Sequence, residues 1–384
     1  MAVFGWQALL RVTNWTAAVY TQLSQAAIVK DRHPDLPVYV YTGFGNADGY
    51  NAATWPLIKG ASDGCGGHQP CRKVPEPYTD WFLETETTPV YSMSACEQMG
   101  MGYSNPPTDK CWNPIWNVAN ASMRDYFIEH IITPLADAPM IDGVFFDCFN
   151  YAYVLPTPWN RRAVNVPNCT TAGGDGCEAL LEGTIDLARR IALKLNARGK
   201  VPMFSNPASF ANTAKAPIWL DEARLLAGLN GTQFQFNYEF MRAEKLASNG
   251  QLANMLQESR LGVPMGVHVY YTNATEDPTP HVAAFLLMRT EHWYFFGSTG
   301  WFDKDWHWTT LYDRVSACGK PLGLAVGAPA PTIYTRAYEG CKVRLDCTDA
   351  SNCVASIDML HGGTSNAALA SAAVEVDTTD GKPW

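Results

Sequence analysis

Residues 123–147, MRDYFIEHIITPLADAPMIDGVFFD, decide the fold. Good helix formers with apolar residues at helical spacing run from Met123 to Leu135. After Pro139 the chain passes into a short apolar run, Val144 to Asp147, which ends on a carboxylate. A helix delivering the chain into a short buried strand is one unit of a parallel sheet.

The same alternation extends in both directions. Strands are expected near residues 3–7, 38–41, 81–83 or 90–93, 144–147, 201–205, 234–238, 267–271 and 293–296. Helices are expected near 15–30, 123–135, 177–197, 221–226, 243–258 and 281–288. An open doubly wound sheet also alternates in this way, so strand count separates the two, and eight strands favour closure into a (β/α)8 TIM-like barrel. An open sheet would also need a glycine-rich phosphate turn. Gly43, Gly45 and Gly49 lack the G-x-G-x-x-G spacing and read as a plain loop.

From about residue 318 the pattern changes to Gly, Pro and β-branched residues without helical period. The expected organisation is therefore a barrel over 1–317, a small β-rich appendage over 318–362 packed on it, and a polar, disordered tail over 363–384. Long segments at 42–79, 84–120 and 149–176 leave the C-terminal ends of the expected second, third and fourth strands. That is the barrel face on which sites are built.

Composition narrows the function. A formal charge of −9 with no basic run argues against a nucleic-acid partner. No segment is apolar for the roughly 18 residues of a membrane span. The 11 cysteines fall mostly as near neighbours in loop-like segments. Disulfides are expected between Cys65 and Cys71, Cys96 and Cys111, Cys169 and Cys177, Cys347 and Cys353, and, at longer range, Cys318 and Cys341, with Cys148 left over. A zinc site is the competing reading, but no C-x-x-C pair occurs. Sequons at Asn14, Asn120, Asn168, Asn230 and Asn273 agree with secretion, although each is equally an ordinary loop or cap Asn. Met1 to Gln7 reads as a strand already in progress, so a secreted chain with its signal removed is expected.

The candidate chemistry lies at strand ends. Asp147 closes an apolar strand and is a candidate nucleophile or general base, or else a cap of the next helix. In FQFNYE, residues 234–239, a second apolar strand ends on Glu239, a candidate general acid or a first-turn Glu. Two carboxyl groups facing each other across a bond are what glycoside hydrolysis requires. Asn206 either bonds a sugar hydroxyl or forms a turn with Pro207. Tyr238 and Tyr270 are candidate sugar contacts. Of Tyr270 and Tyr271 only one can face inward, His268 shares the side of Tyr270, and a core role suits that histidine better. Thirteen tryptophans are many for this length. Trp81, Trp112, Trp116 and Trp301, with Trp306 and Trp308, fall in expected mouth loops, where flat rings can stack on sugars, though a small core beneath the loops must claim some. The G-x-S-x-G elbow, the P-loop and H-E-x-x-H are all missing.

In WNPIWNVANASMRDYFIEHIITPLAD (112–137) followed by IDGVFFDCFN (141–150), the chain resembles glycoside-hydrolase barrels of the group called hypothetical glycosyl hydrolase family 15. Relatives of that group include endo-α-1,4-polygalactosaminidase-type barrels. FGWQ, VYVYTGFG, DWFLETE and GKPLGLA with YTRAYEGCKVRLDCT add to the resemblance. It implies a TIM-like barrel, secretion, and action on a polysaccharide without a cofactor. Asp147 matches the fourth-strand acid, and Glu239 a looser sixth-strand position. The cysteine-rich loops depart from simpler members. A carbohydrate-binding barrel without activity is the alternative, decided by whether a second acid faces Asp147.

Overall fold

The computed structural model describes residues 2–4, 17–21, 23–45, 47, 79–83, 116–147, 149, 178–205, 222–238, 242–248, 252, 256, 259, 262–289, 294–299, 309–327 and 333–360. Eight strands form one sheet in sequence order. They are β1 (Ala2–Phe4), β2 (Ala17–Thr21), β3 (Val38–Gly43), β4 (Gly143–Asp147), β5 (Val201–Ser205), β6 (Gln235–Tyr238), β7 (Met265–Tyr270) and β8 (Tyr294–Ser298). Each pairs in parallel with the next. β8 returns to within 8 Å of β1 between Cα atoms, and the curled sheet is the barrel that the strand count predicts.

The intervening helices are α1 (Leu23–Arg32), α2 (Ala121–Tyr126), α3 (Thr133–Asp137), α4 (Glu178–Asn196), α5 (Glu222–Gly228), α6 (Ala243–Ser248), α7 (Thr279–Met288) and α8 (Thr310–Ser316). A π-helical run, Phe127–Ile132, joins α2 to α3.

Two expected elements are corrected. Ala17–Thr21, read above as the start of a helix, is the second strand, so 38–43 is the third. Ala17 and Ala18 fit a helix, and Val19, Tyr20 and Thr21 were too short a β-favouring run to override the helical pattern that follows. Residues 81–83 are no barrel strand. Thr79–Trp81 is a 3-10 turn, and Phe82 makes one antiparallel bridge to Trp116. Residues 90–93 lie outside the described residues. β3 pairs directly with β4, so residues 79–83 supply no strand between them.

Alternation divides each strand into a helix-facing and an inward side. Phe146 and Phe204 stack at 5.4 Å between ring centroids, and Phe44 and Phe149 approach at 4.4 Å, all four fully buried with Phe127 under the helices. Each such ring contributes about 1.5–3 kcal/mol by leaving water. Tyr39, Phe145 and Met203 fall on the other side, inside the barrel. α4 buries Leu180, Thr184, Leu187, Ile191 and Leu195 along one stripe. Gly183 lets it approach the turn before α2, for a Cβ there would lie 2.1 Å from the Val118 carbonyl oxygen. Asn120, one of the sequon positions, caps α2, its Oδ1 accepting from the Met123 N–H at 3.2 Å and the Ser122 hydroxyl at 2.7 Å.

The C-terminal residues form a four-stranded antiparallel sheet in the order β12–β11–β10–β9, with β9 Val326–Gly327, β10 Ile333–Ala337, β11 Cys341–Asp346 and β12 Val354–Met359. The expected Cys318–Cys341 and Cys347–Cys353 disulfides are present. The other three expected pairs and Cys148 lie outside the described residues. α7 is buried on every side from His281 to Met288 because the barrel covers one face and this sheet the other. Arg336 of β10 ties the two together. Its guanidinium donates to the carbonyls of Leu286 and Leu287 at 3.1 Å, Arg289 at 2.6 Å and Gly323 at 2.8 Å. A cation at the C-terminus of α7 satisfies both its orphan carbonyls and its dipole.

Candidate active site

Because the strands are parallel, Gly43, Asp147, Ser205, Tyr238, Tyr270 and Ser298 end at one rim. Asp147 follows Gly143 and Phe145 on the inward side of β4 and is partly exposed. The Tyr41 hydroxyl, from the neighbouring strand, donates to its Oδ2 at 3.0 Å, and the Tyr41 ring stacks on Phe145 at 6.2 Å. The carboxylate is thus held by a group that is itself held by packing.

Strand register extends the site sideways. Gly43 pairs with Asp147, Phe146 with Phe204 and therefore Asp147 with the Ser205 level, Ser205 with Asn237, and Asn237 with Gly266. One layer across β4 to β7 thus carries an acid, a hydroxyl, a carboxamide and a glycine. Ser205 and Asn237 are wholly buried, and among the described residues neither the Ser205 hydroxyl nor either polar atom of the Asn237 carboxamide has a hydrogen-bond partner. The Asn237 amide lies over Gly266, where a Cβ would come within 2.5 Å of its Oδ1.

Further along β7, His268 Nε2 lies 2.8 Å from the Ser298 hydroxyl, and its ring meets Tyr270 at 4.7 Å. Burial pushes the His268 imidazole well below its ordinary value, so it stays neutral. Tyr270 faces inward with His268, as alternation requires. Tyr271 faces the helices, its hydroxyl 2.6 Å from that of Tyr312.

Between the ends of β6 and β7 lies an ion-pair cluster. Arg242 donates to the Tyr270 carbonyl at 3.0 Å, contacts Glu276 Oε1 at 2.7 Å, and bonds Glu244. Glu276 also accepts from the Thr272 N–H at 2.6 Å and from His281 Nε2 at 3.0 Å. His281 Nδ1 accepts the Ala243 N–H, which fixes the hydrogen on Nε2. Burial alone would raise Glu276, but the bonds from Arg242, His281 and Thr272 outweigh it and hold the carboxyl at about 2. Such a carboxylate stays ionised and cannot serve as a proton donor near neutral pH.

The structure places the other expected residues as follows. Tyr238 is corrected: it is fully buried on the helix-facing side of β6, its ring edge-on to Phe236 at 6.4 Å, so Asn237 is the inward residue. Trp116 is likewise corrected from a cleft contact to core. It is fully buried, stacked on Phe82 at 4.7 Å. Trp81 is half-buried on the outer side, its indole N–H donating to Ser122 at 3.0 Å and its ring 4.9 Å from Tyr126. Glu239, Asn206, Trp112 and Trp301 lie outside the described residues. Among the described residues no group of three His, Cys, Asp or Glu could hold a metal, and no helix is long and apolar enough to cross a membrane.

Solved structures resemble the chain at low identity. Ega3 of Aspergillus fumigatus in complex with galactosamine matches with a TM-score of 0.40 and 10% identity, over 77% of this chain and 86% of that one. A ligand-free cyclic α-maltosyl-(1→6)-maltose hydrolase from Arthrobacter globiformis matches with a TM-score of 0.40 and 13% identity, over 88% and 75%. A maltogenic amylase from S. marinus matches with a TM-score of 0.39 and 10% identity, over 84% and 48%. No protein-family model and no curated protein matches the sequence. Similarity at this level assigns neither a family nor an activity, so the chemistry rests on the residues themselves.

Tyr41, Ser205, Asn237 and the Arg242 cluster were missed by the sequence reading. Period-two counting along FQFNY would have found Asn237, since Phe234, Phe236 and Tyr238 share a side. Tyr41 reaches Asp147 only through the β3–β4 register, for which the sequence carries no local signal.

Proposed function

We propose that the chain is a secreted glycoside hydrolase that cleaves a poly- or oligosaccharide with Asp147 as nucleophile or general base and Glu239 as general acid. The observation that carries this reading is an inward carboxylate at the C-terminal end of β4, fixed by the Tyr41 hydroxyl at the barrel mouth. In the sequence Glu239 follows Asn237 by two positions, the period of a strand face. Two carboxyl groups at strand ends then flank a glycosidic bond, one ionised and one protonated. Tyr270, Asn206, Trp112 and Trp301 complete the sugar contacts, while Tyr238 and Trp116 take no part. The motif resemblance to polygalactosaminidase-type barrels supports the same class, and no cofactor enters the reaction.

A carbohydrate-binding barrel without activity is the second reading. It is favoured by Asp147 being the single carboxylate on the inward strand faces among the described residues. Reducing-end release from a glycan panel, paired with affinity electrophoresis on the same glycans, separates the two. Release from at least one glycan supports the hydrolase. Retardation without release supports the binding barrel, and neither response rejects both.

A further inference from the structure

The layer at the level of Asp147 contains polar atoms that the fold leaves unpaired. Among the described residues, the Ser205 hydroxyl and both ends of the Asn237 carboxamide are buried without a partner, and so is Gln235 Oε1 one layer below. Buried polar groups are nearly always hydrogen-bonded, because an unmet donor or acceptor loses its water and gains nothing. Three neighbouring exceptions on adjacent strands, beside the candidate catalytic acid, are not scattered defects.

We propose that Ser205 and Asn237 form a buried recognition subsite for two adjacent hydroxyl groups of a sugar ring that carries no negative charge. This rests on the carbohydrate reading above and deepens it by naming the substrate class. The chemistry of the unmet groups sets the ligand. A carboxamide offers one donating and one accepting edge side by side, and a serine hydroxyl does either. Adjacent sugar hydroxyls each donate and accept, so they satisfy both edges together. A carboxylate-bearing sugar would need several donors or a cation. Among the described inward residues of β3 to β8 there is neither Lys nor Arg, His268 is neutral, and Asp147 would repel the charge. Asn237 and Ser205 are wholly buried, so hydrogen bonds made to a ring there are shielded from competing water.

The test compares thermal shifts of the parent, Asn237→Leu and Ser205→Ala, alone and with saturating glucose, galactose or galacturonic acid. Removing an unmet group relieves the free protein, so both variants melt at or above the parent temperature. A neutral hexose raises the parent melting temperature, and that shift falls at least threefold in Asn237→Leu. The proposal is overturned if both variants melt well below the parent, if the hexose shift survives in Asn237→Leu, if only the uronic acid acts, or if no sugar acts. Hydrolysis plays no part in this readout. A parent that binds a neutral sugar and cleaves nothing rejects the hydrolase while keeping the subsite, and equal cleavage by parent and Asn237→Leu rejects the subsite alone.

Discussion

Replacing Glu276 with Gln keeps the side-chain shape and removes the charge that Arg242, His281 and Thr272 converge on. In the folded protein the carboxyl sits at about 2, against an ordinary 4.5. At about 1.36 kcal/mol per pH unit that lowering is worth about 3 kcal/mol, and solvent screening at the rim reduces it to about 1–2 kcal/mol. The folded value lies below the unfolded one, so this stabilisation is fully present above pH 4.5 and fades as pH falls towards 2. Urea unfolding of the parent and Glu276→Gln across pH 7 to 2.5 measures it. The variant is expected to be less stable by about 1–2 kcal/mol at pH 7, with the gap narrowing steadily below pH 4.5. A gap that is constant across pH would refute the ion-pair account, as would no gap at pH 7.

Arg336→Met strips four carbonyls of their donor in the seam between α7 and the C-terminal sheet, and a loss of about 3–5 kcal/mol in chemical unfolding is expected. A loss under about 1 kcal/mol would show that water replaces the guanidinium. The Cys318–Cys341 bond closes a separation of 23 residues, so replacing both cysteines with Ser lowers stability by about 3 kcal/mol, and an unchanged urea midpoint would contradict this. Tyr41→Phe removes the bond to Asp147 while keeping the ring on Phe145. Turnover is expected to fall about tenfold with the melting temperature nearly unchanged, and full activity would detach Tyr41 from the site.

The barrel was legible in the sequence because buried parallel strands are short apolar runs and because Glu178–Asn196 and the 121–137 run are long enough to show a helical period between them. Val144 to Asp147, Val201 to Ser205 and 267–270 stood out for that reason. β2 did not, because five residues beginning Ala-Ala run into the helix that starts at Leu23. At the site, Asp147 was legible as the polar end of an apolar strand, and the side shared by His268 and Tyr270 followed from alternation. Tyr238 has the chemistry of a sugar contact, but alternation opposes it to any inward neighbour; Trp116 lies in a loop, but a large ring near Phe82 and Phe127 has more to gain in the core. The Arg242 cluster joins residues more than 30 positions apart, a distance over which no spacing rule operates.

The central claim is that the Asp147 carboxylate acts on a glycosidic bond at the barrel mouth. Single-turnover cleavage of the best panel glycan by the parent and by Asp147→Asn, with matched circular dichroism and melting temperature, tests it most directly. The account predicts at least about a thousandfold loss of rate in the variant with glycan affinity retained. Cleavage within about tenfold of the parent, from an equally folded Asp147→Asn, would contradict it.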